Sequence, residues 1–208
     1  MKTLLRIDSS PMGDSSVSRK LTDRFVESWT MANPDGRVIS RDLSKTGLTP
    51  IDGSWIGAAY TPETARSDEQ KNALATSEQL IGELEVADEY VFGVPMHNFG
   101  VPSTLKLWID QVSRSGKTFA YGADGPKGLL TGKKATLLLA SGGVYAPGSA
   151  TAAMNFVAPY LEAVLGFLGV RDIHVIAAEG TAQLMTGKVD PQTFLAPSLD
   201  KVHSHASH

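Results

Sequence analysis

Residues 135–140, Ala135-Thr136-Leu137-Leu138-Leu139-Ala140, run without a charge and break at Ser141-Gly142-Gly143. The run is short and does not alternate polar with apolar, so it reads as a strand buried on both faces. Working outward, three more runs share that character: Leu4, Leu5 and Ile7, closed by Asp8-Ser9-Ser10-Pro11; Tyr90 to Val94; and Ile173 to Ala178. Val38, Ile39 and Leu43 suggest a shorter one. Helical spacing fills the gaps. Ser16 to Met31 carries Leu21, Phe25, Val26 and Trp29 on one face and stops at Asn33-Pro34-Asp35-Gly36. Asp68 to Ala87 carries Leu74, Leu80, Ile81 and Leu84. Ser103 is read as the cap of a helix reaching about Arg114, and Thr151 to Leu168 as a long helix that is apolar on most sides. A last helix spans Pro191 to Val202, followed by a frayed tail, His203 to His208. Residues 44–66 read as loop with a short helix near Trp55, and residues 115–132 as an extended excursion. Strands alternating with helices predict an α/β architecture: an open five-stranded parallel sheet of order 2-1-3-4-5 with helices on both faces. No repeat or composition break divides residues 1–208, so one domain is expected.

Composition narrows the chemistry. Lys and Arg number 19 against 22 Asp and Glu, a net charge of −3, which argues against nucleic acid as a partner. There is no cysteine, which excludes disulfides, thiolate metal sites and thiol redox chemistry. Redox work here needs a borrowed cofactor. No signal-peptide pattern and no long apolar span stand out, so no membrane association and a cytoplasmic location are expected.

In a parallel open sheet the loops after strands one, three and four meet at one edge. Those three loops hold the unusual residues. Ser9 to Ser18 is rich in hydroxyls and opens a helix, whose free N–H groups and dipole suit a phosphate. Ser10, Ser16 and Ser18 can each offer a hydroxyl; the plainer reading is that Ser15 or Ser16 only caps the helix. Pro95 to Ser103 holds Asn98 and Phe99 between stiffening prolines, with Gly100 leaving room for a flat ring; an ordinary connection is the plainer alternative. Ser141-Gly142-Gly143 lets backbone approach a ligand, or is a plain glycine turn. His97 is a candidate proton donor, since imidazole titrates near neutrality, against the alternative of a surface histidine. No G-x-S-x-G elbow or H-E-x-x-H occurs, which weakens hydrolase and zinc readings, and no metal site is expected. Trp29 and Trp108 fall at core positions of their helices.

The sequence resembles the FMN-dependent NAD(P)H azoreductase and quinone reductase family of flavodoxin-like proteins. The resemblance rests on Ser9-Ser10 with Ser16-Val17-Ser18, on Pro95-Met96-His97-Asn98-Phe99 through Pro102 to Lys106 and Asp110, and on Arg114 to Tyr121. It continues through Gly128 to Lys134, Ser141-Gly142-Gly143, and Tyr160 to Gly169, which covers nearly the whole chain. It implies a flavodoxin-like homodimer that binds FMN and passes hydride from NADH or NADPH to quinones and azo compounds by a ping-pong cycle. Ser10, Ser16, Val17 and Ser18 would hold the phosphate. Pro95, Met96, His97, Asn98 and Phe99 would lie along the flavin ring, and Ser141, Gly142 and Gly143 at its pyrimidine end. Tyr121 and Phe167 would shape the substrate pocket, partly from the other subunit, and Tyr145 lies close behind the glycine pair. Two positions depart from the family: His97 stands where tyrosine is common, and Ser141 where many members have arginine. The lost charge bears on nucleotide preference and flavin potential. An electron-transfer flavodoxin is the alternative, which a net charge of −3 and the segments 44–66 and 115–132 disfavour.

Overall fold

The computed structural model describes residues 1–187 and 189–207. Five parallel strands form the central sheet: β1 (Thr3–Asp8), β2 (Arg37–Asp42), β3 (Glu89–Pro95), β6 (Lys134–Ala140) and β7 (Asp172–Ala178). Their order is β2-β1-β3-β6-β7, the 2-1-3-4-5 order expected for five strands. The register pairs Asp8 with Asp42 and with Gly93, Pro95 with Ala140, and Ala140 with Ala178, so all the strand C-termini open onto one edge.

Period two sorts the apolar strand residues onto two faces. Leu5, Ile7, Tyr90, Phe92, Val94, Leu137 and Leu139 pack with α3 (Asp68–Val86), α4 (Ser103–Val112) and α5 (Ala158–Leu168). Leu4, Val91, Leu138 and Ile176 pack with α1 (Val17–Ala32) and α7 (Pro191–Ala206). Trp29 and Trp108 are buried in these two layers, as their spacing predicted. Each such large apolar side chain contributes about 1.5–3 kcal/mol by leaving water. The short helix near Trp55 is α2 (Gly53–Tyr60), capped by Asp52, which accepts from the Trp55 N–H at 2.8 Å.

Several boundaries differ from expectation. Ser103 is the first residue of α4, not its cap; Pro102 precedes it in extended geometry, and no side chain caps the helix. That helix stops at Val112, because the Arg114 N–H donates instead to Thr118 Oγ1 at 3.1 Å and turns the chain. The helix expected from Thr151 begins only at Ala158: residues 152–154 make a single 3₁₀ turn, and Asn155 Oδ1 accepts from the Val157 and Ala158 N–H groups to start the helix. Within the excursion, β4 (Phe119–Gly122) and β5 (Gly125–Gly128) form an antiparallel hairpin. It lies against the end of α5 so closely that a Cβ on Gly128 would sit 2.2 Å from the Gly169 nitrogen.

The tail is not frayed where it is described. His203 to Ala206 continue α7: His203 Nδ1 hydrogen-bonds Ser28 Oγ at 2.8 Å, His205 stacks on His174 at 4.0 Å, and Val202 and Ala206 are buried. His208 lies outside the described residues. No helix among the described residues is long and apolar enough to cross a membrane. A short helix, α6 (Ala182–Met185), follows β7.

Candidate active site

The first loop leaves β1 at Asp8. Ser9 is pinned beneath it, its N–H and Oγ both donating to the Gly93 carbonyl at 3.1 and 2.9 Å. Ser16 caps α1 by accepting from the Arg19 N–H at 3.2 Å, so the capping reading holds for Ser16. Capping does not exhaust the loop. Ser16 Oγ also lies 3.0 Å from Ser18 Oγ, and the Val17 and Ser18 N–H groups belong to the first turn, which has no intrahelical acceptor for them. Ser10 Oγ accepts from the Met12 N–H at 3.3 Å on the facing side. Three buried hydroxyls and the positive end of α1 thus share one cradle.

Arg19, just past the cradle, has no counterpart in the sequence reading. Its guanidinium bonds Asp8 and Asp42 at 3.3 and 3.0 Å and the Ser10 carbonyl at 3.4 Å, while its Nε–H is buried with no partner. Burial pushes the Asp42 carboxyl up, but hydrogen bonds from Ser44 and the Arg19 charge outweigh it and hold the group below its ordinary value. A cation therefore underlies the loop, already largely matched by carboxylates. The sign of position 19 could have suggested this; its direction could not.

The second loop continues β3 for one residue, with the Met96 N–H donating to the Ala140 carbonyl at 2.8 Å. His97 and Gly100 then exchange two backbone hydrogen bonds, each 3.0 Å, around a two-residue turn. Asn98 and Phe99 both have positive φ, 48° and 70°, the geometry of a type I′ turn. Asparagine tolerates it; phenylalanine does not normally take it, so Phe99 is held at a cost of about 1–2 kcal/mol. The Phe99 carbonyl accepts from the Phe156 N–H at 3.1 Å, and its ring meets Tyr145 edge-on at 6.4 Å. The reciprocal bonds leave the Asn98 and Phe99 N–H groups at an exposed tip.

The third loop is fixed from behind by residues 179–182. The carbonyls of Ser141, Gly142 and Gly143 accept from the N–H groups of Thr181, Ala182 and Gly180 at 3.0, 3.3 and 2.9 Å. Ser141 Oγ also donates to the Gly143 carbonyl at 2.9 Å. With these carbonyls engaged from behind, the Gly142 and Gly143 N–H groups form no hydrogen bond among the described residues. The Tyr145 ring covers Gly143 closely enough that a Cβ there would sit 3.1 Å from it and press the ring aside. Ser141 itself is buried.

The three loops share the sheet edge, so Ser10, Ser16, Val17, Ser18, Pro95 to Phe99 and Ser141 to Gly143 are brought together as read. Tyr121 and Phe167 are not among them in a single chain. They cluster on Phe119, at 5.6 and 4.7 Å, where the hairpin meets the far end of α5. That helix starts at the loop edge and runs away from it, so Phe167 lies roughly 15 Å along the helix from its start. No group of three or more metal-ligating side chains occurs among the described residues.

Fold and loops together define a flavodoxin-like class. The family model with that fold matches residues 1–199, and the chain belongs to this family. An FMN-dependent NADH:quinone oxidoreductase of Acidobacterium capsulatum is 56% identical over 207 residues, covering 100% of both chains. FMN-dependent NADH:quinone oxidoreductase 3 of Burkholderia lata is 47% identical over 204 residues, covering 98% of this chain and 99% of its own. Among solved structures, an FMN-dependent NADH-azoreductase of Bacillus anthracis in complex with FMN superposes with a TM-score of 0.88 at 28% identity, over 100% of this chain and 98% of the other. The chain is accordingly an oxidoreductase enzyme.

Proposed function

We propose that the protein is an FMN-dependent NADH:quinone oxidoreductase that also reduces azo compounds, built as one FMN-binding unit over residues 1–208. The observation that carries this is the donor set on one sheet edge: a hydroxyl cradle at a helix start, a strained turn presenting two N–H groups, and a glycine pair presenting two more. Those donors fit an elongated ligand with an anionic end and a flat, hydrogen-bonding ring. FMN, if bound there, would supply the redox chemistry between NADH or NADPH and the acceptor, with ping-pong order the expected kinetics.

The chain's own work is placement. Ser10, Ser16, Val17 and Ser18 hold the phosphate. Pro95, Met96, Asn98 and Phe99 line the ring, and Ser141, Gly142 and Gly143 receive its pyrimidine end. His97, exposed beside the turn, holds a proton for the reduced acceptor. Tyr121 and Phe167 enter from a second copy in a homodimer. Exposed apolar side chains at Ile56, Tyr60, Tyr121, Phe156 and Phe167 support that pairing. The cytoplasm, with its nicotinamide pool, is the setting this reaction requires.

The test is an anaerobic absorbance titration of the purified protein with FMN, followed by NADH and then a quinone. Bound flavin that bleaches with NADH and recovers with quinone is expected. A protein that binds no flavin overturns the reading. Sedimentation velocity tests the dimer, which a monomer at working concentration would exclude.

A further inference from the structure

Glu179 follows β7 and is half-buried. Its carboxylate spans two backbone donors of the third loop, accepting from the Tyr145 N–H through Oε1 at 2.8 Å and from the Ala146 N–H through Oε2 at 3.1 Å. Hydrogen bonds to a carboxylate are among the stronger ones, and a fork across consecutive N–H groups fixes direction as well as position. The next three residues bond the carbonyls of Gly143, Ser141 and Gly142 in turn. The Thr181 hydroxyl adds a second bond to the Ser141 carbonyl at 3.0 Å. Residues 178–182 thus hold the glycine loop from behind, the Ala178 carbonyl accepting from the Ser141 N–H at 3.1 Å, and among them Glu179 acts through a side-chain charge.

The consequence reaches a second loop. Glu179 sets where Tyr145 leaves the backbone, the Tyr145 ring covers Gly143, and the same ring meets Phe99 edge-on. Phe99 sits in the strained turn of the second loop. One carboxylate thus anchors the chain directly after the glycine pair and, through one aromatic ring, touches the second loop.

We infer that Glu179 is a positioning residue for the ring end of the flavin site, acting through Tyr145 and independently of the phosphate cradle. The inference rests on the flavin reading above. It assigns Glu179 no contact with the ligand and no part in proton transfer.

The test measures dissociation constants for FMN and for lumiflavin, which has the ring and no phosphate, by fluorescence quenching. Wild type, Glu179→Ala, Glu179→Gln and Ser18→Ala are compared. Glu179→Ala is expected to weaken both ligands by the same factor, about tenfold. Glu179→Gln, which keeps one acceptor oxygen, should recover part of that loss. Ser18→Ala should weaken FMN and leave lumiflavin unchanged. Unchanged binding of both ligands by Glu179→Ala overturns the inference, as does a loss confined to FMN. If Glu179→Ala fails to fold, Glu179→Gln decides: equal weakening of both ligands supports the inference, and wild-type affinity for both overturns it. A wild-type protein that binds neither ligand overturns the flavin reading itself, a result distinct from all of these.

Discussion

The two edges of the sheet treat their polar groups differently. At the N-terminal edge, side-chain charges satisfy one another. Lys2 pairs with Glu89 at 3.0 Å, Glu89 also accepts from Trp29 Nε1 at 3.0 Å, and Asp88 accepts from the Thr3 N–H at 2.7 Å. Lys133 donates to the Glu85 and Ala87 carbonyls. A cavity of about 320 Å³ lies there, lined by Lys2, Trp29, Lys134, His174 and His205, while the C-terminal edge holds one of only about 10 Å³ beside Met96 and Ser141. Concavity alone points away from the edge that carries the candidate site. At the C-terminal edge Arg19 is likewise matched by Asp8 and Asp42, but the loop donors above it are hydroxyls and backbone N–H groups, held by strain and by a rear support. A site reveals itself here by what its donors leave unspent.

The sharpest way to break this contrast is Ser16→Asp. Aspartate caps a helix as well as serine, so Tm should hold within a degree or two, while a carboxylate facing the phosphate should weaken FMN on the order of 100-fold in a fluorescence titration. Intact affinity would remove the cradle from the site.

Next in size is Phe99→Gly. Glycine relieves the positive φ, and Asn-Gly is the preferred type I′ pair, so stability should rise by about 1 kcal/mol, or roughly 2–4 °C in Tm. Quinone reduction should fall roughly tenfold as the placement of the ring is lost. A variant that gains stability and keeps its turnover would make the strain incidental.

His97→Phe should lower turnover a few-fold and flatten the pH profile of kcat. An unchanged rate and profile would remove His97 from proton delivery.

The smallest effect belongs to the other edge. Burial lowers the His205 pKa below its ordinary 6.5, with the neighbouring His174 and Lys134 charges adding to it, against Asp172 and Glu89. The unfolded chain therefore takes its proton first as pH falls. Stability contributed by neutral His205 is full above pH 6.5 and declines below it until the folded histidine also protonates. Thermal melts from pH 7 to 5 should slope less for His205→Phe than for wild type, with FMN affinity unchanged. A change in FMN affinity would mean the two edges are coupled.

Much of the candidate site was legible because strand order brings three such loops to one edge. Hydroxyls before a helix, Asn-Phe between prolines and a glycine pair are each ordinary alone. Glu179 was not legible, since an acid after a strand looks like any surface carboxylate until its partners 33 and 34 residues upstream are seen. The start of α5 was misread because Thr151 to Met154 have helix-compatible residues; the Asn155 side chain sets the true start. His203 to Ala206 look like tail in the sequence because the contacts that hold them come from α1 and β7.

The sequence by itself determined the sheet, since mainly apolar runs separated by 3.6-period helices can bury both faces only as a parallel α/β layer. Strand order then placed three loops together. Only the tertiary structure decided which way their donors face, which carbonyls are consumed from behind, and that Tyr121 and Phe167 stand away from the loops within one chain. Periodicity records what must be hidden from water, a property of each segment. Hydrogen-bond direction depends on groups far away in the chain, and no local pattern records it.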